Sequence, residues 1–183
     1  MSFNAVPYMD RDAKAALSTR FHIRGIPALV MLGPMDASTG DRPIINENFH
    51  GVFEEDYVSD FPYHPRRYGD LSTTKDNINK FKCLIVFHEL ADDDEQEEIQ
   101  IYIKDACDKC PNKFVHFYWG NSPGGLTTVV KDILKIGPAK EDPVMVLLDV
   151  PEQGYYVCDH SNISTESILA FLDEPGQKRM LQS

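Results

Sequence analysis

Long apolar runs, dense cysteine and any strong excess of basic residues are all missing from this chain, and each absence narrows what it does. No apolar stretch is long enough to cross a bilayer, and Met1-Ser2-Phe3-Asn4-Ala5-Val6-Pro7 lacks the basic and apolar regions of a secretory signal. A soluble, intracellular protein is expected, with no membrane partner. Acidic residues outnumber basic ones 29 to 18, for a net charge of −11, and the short Arg66-Arg67 pair does not offset this. Binding to nucleic acid through phosphates is therefore not expected. Four cysteines among 183 residues are too few for a disulfide scaffold and are expected as thiols. The Gly-rich segment Gly120-Asn121-Ser122-Pro123-Gly124-Gly125 is not followed by Lys-Ser/Thr, so it is a turn and not a phosphate cradle.

What the chain does contain is a helix, a proline and a buried strand, in that order, twice. Ala13, Ala16, Leu17 and Phe21 fall at helical spacing behind Asp10. Then come Gly25-Ile26-Pro27 and the apolar run Ala28-Leu29-Val30-Met31-Leu32. Such a run, bounded by Gly and Pro, predicts a strand buried on both faces. Leu126, Val129, Val130, Ile133 and Leu134 mark a second helix face, followed by Glu141-Asp142-Pro143 and the run Val144-Met145-Val146-Leu147-Leu148. A proline at the start of a strand cannot donate to the ladder, so Ile26-Pro27 belongs where the sheet begins and is a candidate cis bond.

The rest of the chain sorts by local signals. Residues 36–41 form a turn containing Gly40, Pro43-Ile44-Ile45 is an edge strand, and 48–58 suit a short acidic helix. Asp60-Phe61-Pro62-Tyr63-His64-Pro65 disfavours both helix and central strand, which makes 61–79 a Pro/aromatic linker. Residues 81–87 read as a buried strand. A helix with an acidic start at 92–98 follows, with Ile99, Tyr102, Ile103, Ala106, Cys107 and Cys110 on its apolar stripe. Strands at 113–119, 144–150 and 155–158 and a helix from about Ser164 complete this unit. The organisation expected is 1–60, 61–79, 80–175 and a polar, frayed tail at 176–183.

The order strand, helix, strand, helix, strand, strand, helix, with proline before the third strand, resembles the thioredoxin fold. Phe21-His22-Ile23-Arg24-Gly25-Ile26-Pro27-Ala28-Leu29 and Asp60-Phe61-Pro62-Tyr63-His64-Pro65 resemble segments of the tryparedoxin and nucleoredoxin group, here with Tyr63 for the group's tryptophan. The resemblance covers essentially the whole chain. It implies an α/β, thioredoxin-like fold with one incomplete unit followed by one complete unit. It also implies a C-terminal portion of a protein-disulfide reductase in redox-dependent Wnt signalling, cytoplasmic and nuclear, with Dishevelled-type signalling proteins as partners. By the same resemblance Gly25, Ile26 and Pro27 form the cis-proline loop that offers backbone to a substrate peptide. The group's Trp-Cys-Pro-x-Cys motif matches nothing here. No catalytic residue and no cofactor are therefore expected in this chain, which is expected to be inactive alone and to bind proteins. An incomplete first sheet exposes edges through which the chain is expected to self-associate.

Cys107-Asp108-Lys109-Cys110-Pro111 is a CxxC, but it ends its helix. A redox CxxC draws its low pKa from a helix N-terminus, where the dipole and free N–H groups favour thiolate. On the apolar stripe these sulfurs pack as small hydrophobes, which is the favoured reading. The alternative makes Cys107 and Cys110 a redox pair, or two zinc ligands joined by Cys158 and His160 at poor spacing. The position of the group's dithiol in the second unit falls in Glu89-Leu90-Ala91-Asp92-Asp93-Asp94. These carboxylates suit a solvated helix cap better than calcium, for which the EF-hand spacing is absent. His22, His50, His64, His88, His116 and His160 show no ligand spacing and are expected at the surface or capped, so no metal is expected.

Overall fold

The computed structural model describes residues 5–23, 25, 28–47, 65–72, 78–158 and 162–181. They divide into two compact units, Met1–Arg66 and Arg67–Ser183.

In the first unit, Asp10 caps helix α1 (Arg11–Arg20) by accepting the Ala13 N–H at 2.9 Å. Strand β1 (Met31–Leu32) pairs antiparallel with β2 (Ile44–Asn46) across a bulge. The turn between them is tied by the Asp36 carboxylate, which accepts the Ser38 and Thr39 N–H groups, and by Gly40 at φ 72°. The Ser38 hydroxyl, which donates to the same carboxylate, and those two N–H groups hold the Asp36 carboxyl below the usual carboxylate range. The run 28–32 departs from its expected double burial. Only Met31 and Leu32 are strand, and Leu29 and Leu32 are exposed. An apolar run is buried only where other elements cover it. Among the described residues, β2 is the single strand beside β1, and α1 buries no residue.

The second unit is a six-stranded sheet ordered β3-β5-β4-β6-β7-β8: β3 (Tyr68–Asp70), β4 (Lys82–Phe87), β5 (Val115–Gly120), β6 (Val144–Asp149), β7 (Gly154–Cys158) and β8 (Arg179–Met180). The first three strands in that order are parallel, and β6, β7 and β8 add antiparallel. Alternation along β4 assigns the two cores. Leu84 and Val86 pack with Ile99, Ile103, Ala106, Cys107 and Cys110 of helix α2 (Asp93–Lys109) and its C-cap, and with Ile168 and Phe171 of α4 (Thr165–Asp173). Cys83, Ile85 and Phe87 face the other way, toward Val130 and Leu134 of α3 (Gly125–Leu134), with Leu71 and Ile78. Asp92 caps α2 and Ser164 caps α4 with a reciprocal capping box.

Three local features differ from the sequence pattern. Tyr68–Asp70 lies inside the expected linker yet forms an edge strand. Pro65 stops short of it, Tyr68 stacks on Trp119 at 6.5 Å between centroids, and the Leu71 N–H reaches the Trp119 carbonyl at 2.9 Å. In the tail expected to fray, Arg179 and Met180 pair with β7, because Gly154 lets them approach. A Cβ there would lie 3.2 Å from the Arg179 carbonyl oxygen. On α3, Val129 and Ile133 are more than half exposed, and Thr127 and Lys131 are buried beside Val130 and Leu134. The helix is rotated from its apolar stripe so that an ammonium group points inward.

Candidate functional site

Parallel β3, β5 and β4 end together, beside the start of antiparallel β6, and Phe87 stands in register with both Gly120 and Val144. The chain leaves β4 here through His88, Glu89, Leu90 and Ala91 before Asp92 caps α2. Backbone bonds shape the turn: His88 N–H to Gly120 O at 3.0 Å and Ala91 N–H to His88 O at 3.2 Å. Gly120 is required by space, since a Cβ would meet Phe87 Cδ1 at 2.9 Å and Thr127 Cγ2 at 3.0 Å. Gln96 Nε2 donates to Ala91 O, and Asn121 Nδ2 donates to Gln96 Oε1. The turn is thereby tied to α2 and to the end of β5.

A buried ion pair and a buried imidazole mark this junction. Glu89 and Lys131 form an ion pair at 2.6 Å with side chains 6% and 8% exposed, and Lys131 Nζ also lies 5.7 Å from the centroid of the Phe87 ring. His88 is 1% exposed, and neither ring nitrogen has a hydrogen-bond partner among the described residues. An unsatisfied buried polar group of this kind costs about 1–3 kcal/mol. Burial pushes the His88 pKa down to about 4, against the opposing carboxylates of Glu89 and Asp70. Asp93, Asp94 and Glu95 occupy the first turn of α2, where the helix dipole favours negative charge.

All four cysteines lie away from this turn as free, buried thiols. Cys107 is in the last turn of α2 and Cys110 is its C-cap. Burial pushes the Cys107 thiol up to about 11 in spite of the nearby Arg67, and pushes Cys83 up to about 12, with Asp149 adding to the effect. The Arg67 guanidinium closes this end of the helix, donating to the carbonyls of Cys107, Asn112 and Val115. Cys158 belongs to the same core cluster as Cys107 and Cys110, while His160 lies outside the described residues. Among the described residues, no group of three or more His, Cys, Asp and Glu side chains is arranged to hold a metal ion. No helix among them is long and apolar enough to cross a membrane.

Of the cis-proline loop residues implied by resemblance, Gly25 is exposed, and Ile26 and Pro27 lie outside the described residues. So do His50 and His64. His22 is exposed and pairs with Glu47, but His88 and His116 are buried, contrary to the expectation of surface or capped rings. His116 is satisfied by Phe81, stacked at 4.5 Å between centroids, and by the Tyr118 hydroxyl at 3.2 Å. The sequence pattern did not single out Glu89 with Lys131, which are 42 residues apart. The one available signal was a lysine next to Val130 on the helix that carries the apolar residues Leu126, Val129, Val130, Ile133 and Leu134.

Two helices on one face, one on the other, and the strand order β5-β4-β6-β7 with β6 and β7 antiparallel define the second unit as a thioredoxin-like α/β module. Human nucleoredoxin is 26% identical to the chain over 184 residues, covering 95% of this chain and 40% of the relative. Mouse nucleoredoxin is 25% identical over the same shares, and the zebrafish protein is 24% identical over 94% of this chain and 41% of its own length. The chain is thus similar to nucleoredoxin and spans about two fifths of these relatives. No protein-family model matches it. Among solved structures, the crystal structure of the bb fragment of ERp72 has a TM-score of 0.41 at 13% identity, covering 87% of this chain and 71% of that one.

Proposed function

We propose that the chain is part of a nucleoredoxin-like protein-disulfide reductase in redox-dependent signalling, to which it contributes a protein-binding module that is itself redox-inactive. The observation that supports this reading is the junction of β4 and α2, where His88, Glu89 and Asp92 stand and the thiols lie elsewhere, buried. A buried thiol with a raised pKa is a poor nucleophile at neutral pH. Its partners are proteins, Dishevelled-type signalling proteins among them by resemblance, met in the cytoplasm and nucleus, and the chain self-associates through its first unit.

The test is insulin-disulfide reduction by the chain and by a Cys107→Ser/Cys110→Ser variant, with iodoacetamide labelling across pH. Equal, background rates are expected, with Cys107 labelling half-maximal near pH 11. Reduction that disappears in the double variant, with labelling below pH 8, would make the CxxC a redox centre and overturn the reading.

A further inference from the structure

The turn after β4 is held down by one interaction and opposed by another. Glu89 is bound by a lysine reaching in from α3 at 2.6 Å, and both partners are buried. One residue earlier, the His88 imidazole is equally buried with both nitrogens unpartnered among the described residues, although its backbone N–H is bonded to Gly120 O. A buried polar ring without partners favours any state that wets it. The charges acting on it are Glu89 on its own turn, which is paired with Lys131 of α3, and Asp70 at the end of β3. On the β5 side its neighbour is Gly120, which carries no charge. Two carboxylates therefore face the ring. They stabilise an imidazolium electrostatically, but in the closed turn they do not offset its loss of hydration.

We propose that residues 88–91 form a proton-operated latch at the junction of β4 and α2, closed by the Glu89–Lys131 pair and opened when His88 takes up a proton from solvent. In the open state the imidazolium is hydrated and the end of β4 is uncovered, while the sheet beneath stays paired. The latch depends only on this local geometry and stands whether or not the module binds signalling proteins.

Opening is read by hydrogen–deuterium exchange of the full chain at pH 7.5 and 5.0, corrected for intrinsic exchange, at the amides of His88 and Ala91. A ring whose pKa moves from about 4 when closed to 6.5 when wetted raises the opening constant roughly 30-fold over that interval. The amides of Leu84 and Ile85 in β4 are expected to keep their protection. His88→Phe should abolish the pH response of the turn, and Glu89→Gln should raise exchange at pH 7.5. If His88→Phe does not fold, the wild-type ratio and Glu89→Gln decide alone. A pH response that survives in His88→Phe, loss of β4 protection in parallel with the turn, or unchanged exchange in Glu89→Gln would each overturn the latch.

Discussion

Removing the ammonium of Lys131 tests the most consequential interaction in the second unit. Lys131→Met keeps the length and apolar stem of the side chain but leaves the Glu89 carboxylate, 6% exposed, without its partner at 2.6 Å. Breaking a buried pair from one side costs about 3–5 kcal/mol, because the remaining charge is desolvated and unpaired. Glu89→Gln should cost less, about 2–3 kcal/mol, since Lys131 keeps an amide oxygen as acceptor and the Phe87 ring at 5.7 Å. Replacing both partners with Met removes the charges together and should return stability to within about 1 kcal/mol of wild type. The assay is urea unfolding followed by fluorescence of Trp119, the single tryptophan, which is 9% exposed in β5 and so reports this unit. Additive effects, with a coupling energy below about 0.5 kcal/mol, would refute the reasoning and mean that the two charges are solvated in solution.

Other perturbations follow from the same end of the sheet and from the far end of α2. His88 has its folded pKa depressed to about 4 from 6.5, so the unfolded chain binds the proton more tightly and acid favours unfolding. Its contribution is full above pH 6.5 and falls by about 1.4 kcal/mol per pH unit down to about pH 4, roughly 3 kcal/mol in all. Unfolding curves of His88→Phe should lose that slope and keep a smaller one from His116, which burial also lowers. Gly120→Ala should cost about 1–3 kcal/mol by pressing on Phe87, and an unchanged urea midpoint would show that the ring has room. Arg67→Ala removes three carbonyl contacts and should cost about 1–3 kcal/mol, with faster amide exchange in the last turn of α2; unaltered exchange there would deny the capping role.

The parts of this structure that could be read in advance are those written in local pattern. Of the stripe Ile99, Tyr102, Ile103, Ala106, Cys107 and Cys110, all but the half-buried Tyr102 are buried as their spacing requires, and the stripe put the CxxC at the wrong end of its helix for thiol chemistry. Asp92 and Ser164 cap the helices that their positions suggested. Edge strands of two or three residues, such as β3 and β8, carry no periodicity, so they emerge only from what the neighbouring strand offers: the Trp119 ring and carbonyl for one, and the bare Cα of Gly154 for the other. The location of the candidate site was legible, since 89–94 stand where the resemblance puts the group's dithiol, but its buried pair and ring were not. His88 and Glu89 look like any polar turn, and their significance lies in burial and in a partner 42 residues away. A run such as 28–32 shows the converse, since apolar content states a preference for cover and not its supply.

The placement of β3 and β8 on opposite edges of the second unit has a mechanical consequence. Any pull transmitted along the chain into this unit from either side enters through an outermost strand. At one edge two residues of antiparallel pairing, with the Lys178 ammonium on the Glu152 carbonyl, must unzip. At the other, the guanidinium of Arg67 ties the entry of β3 to three carbonyls. Tension between the two edges is carried across every ladder between them, and the two-residue pairing of β8 is the shortest of these, so the tail is expected to unzip before the longer ladders of β5, β4, β6 and β7 yield.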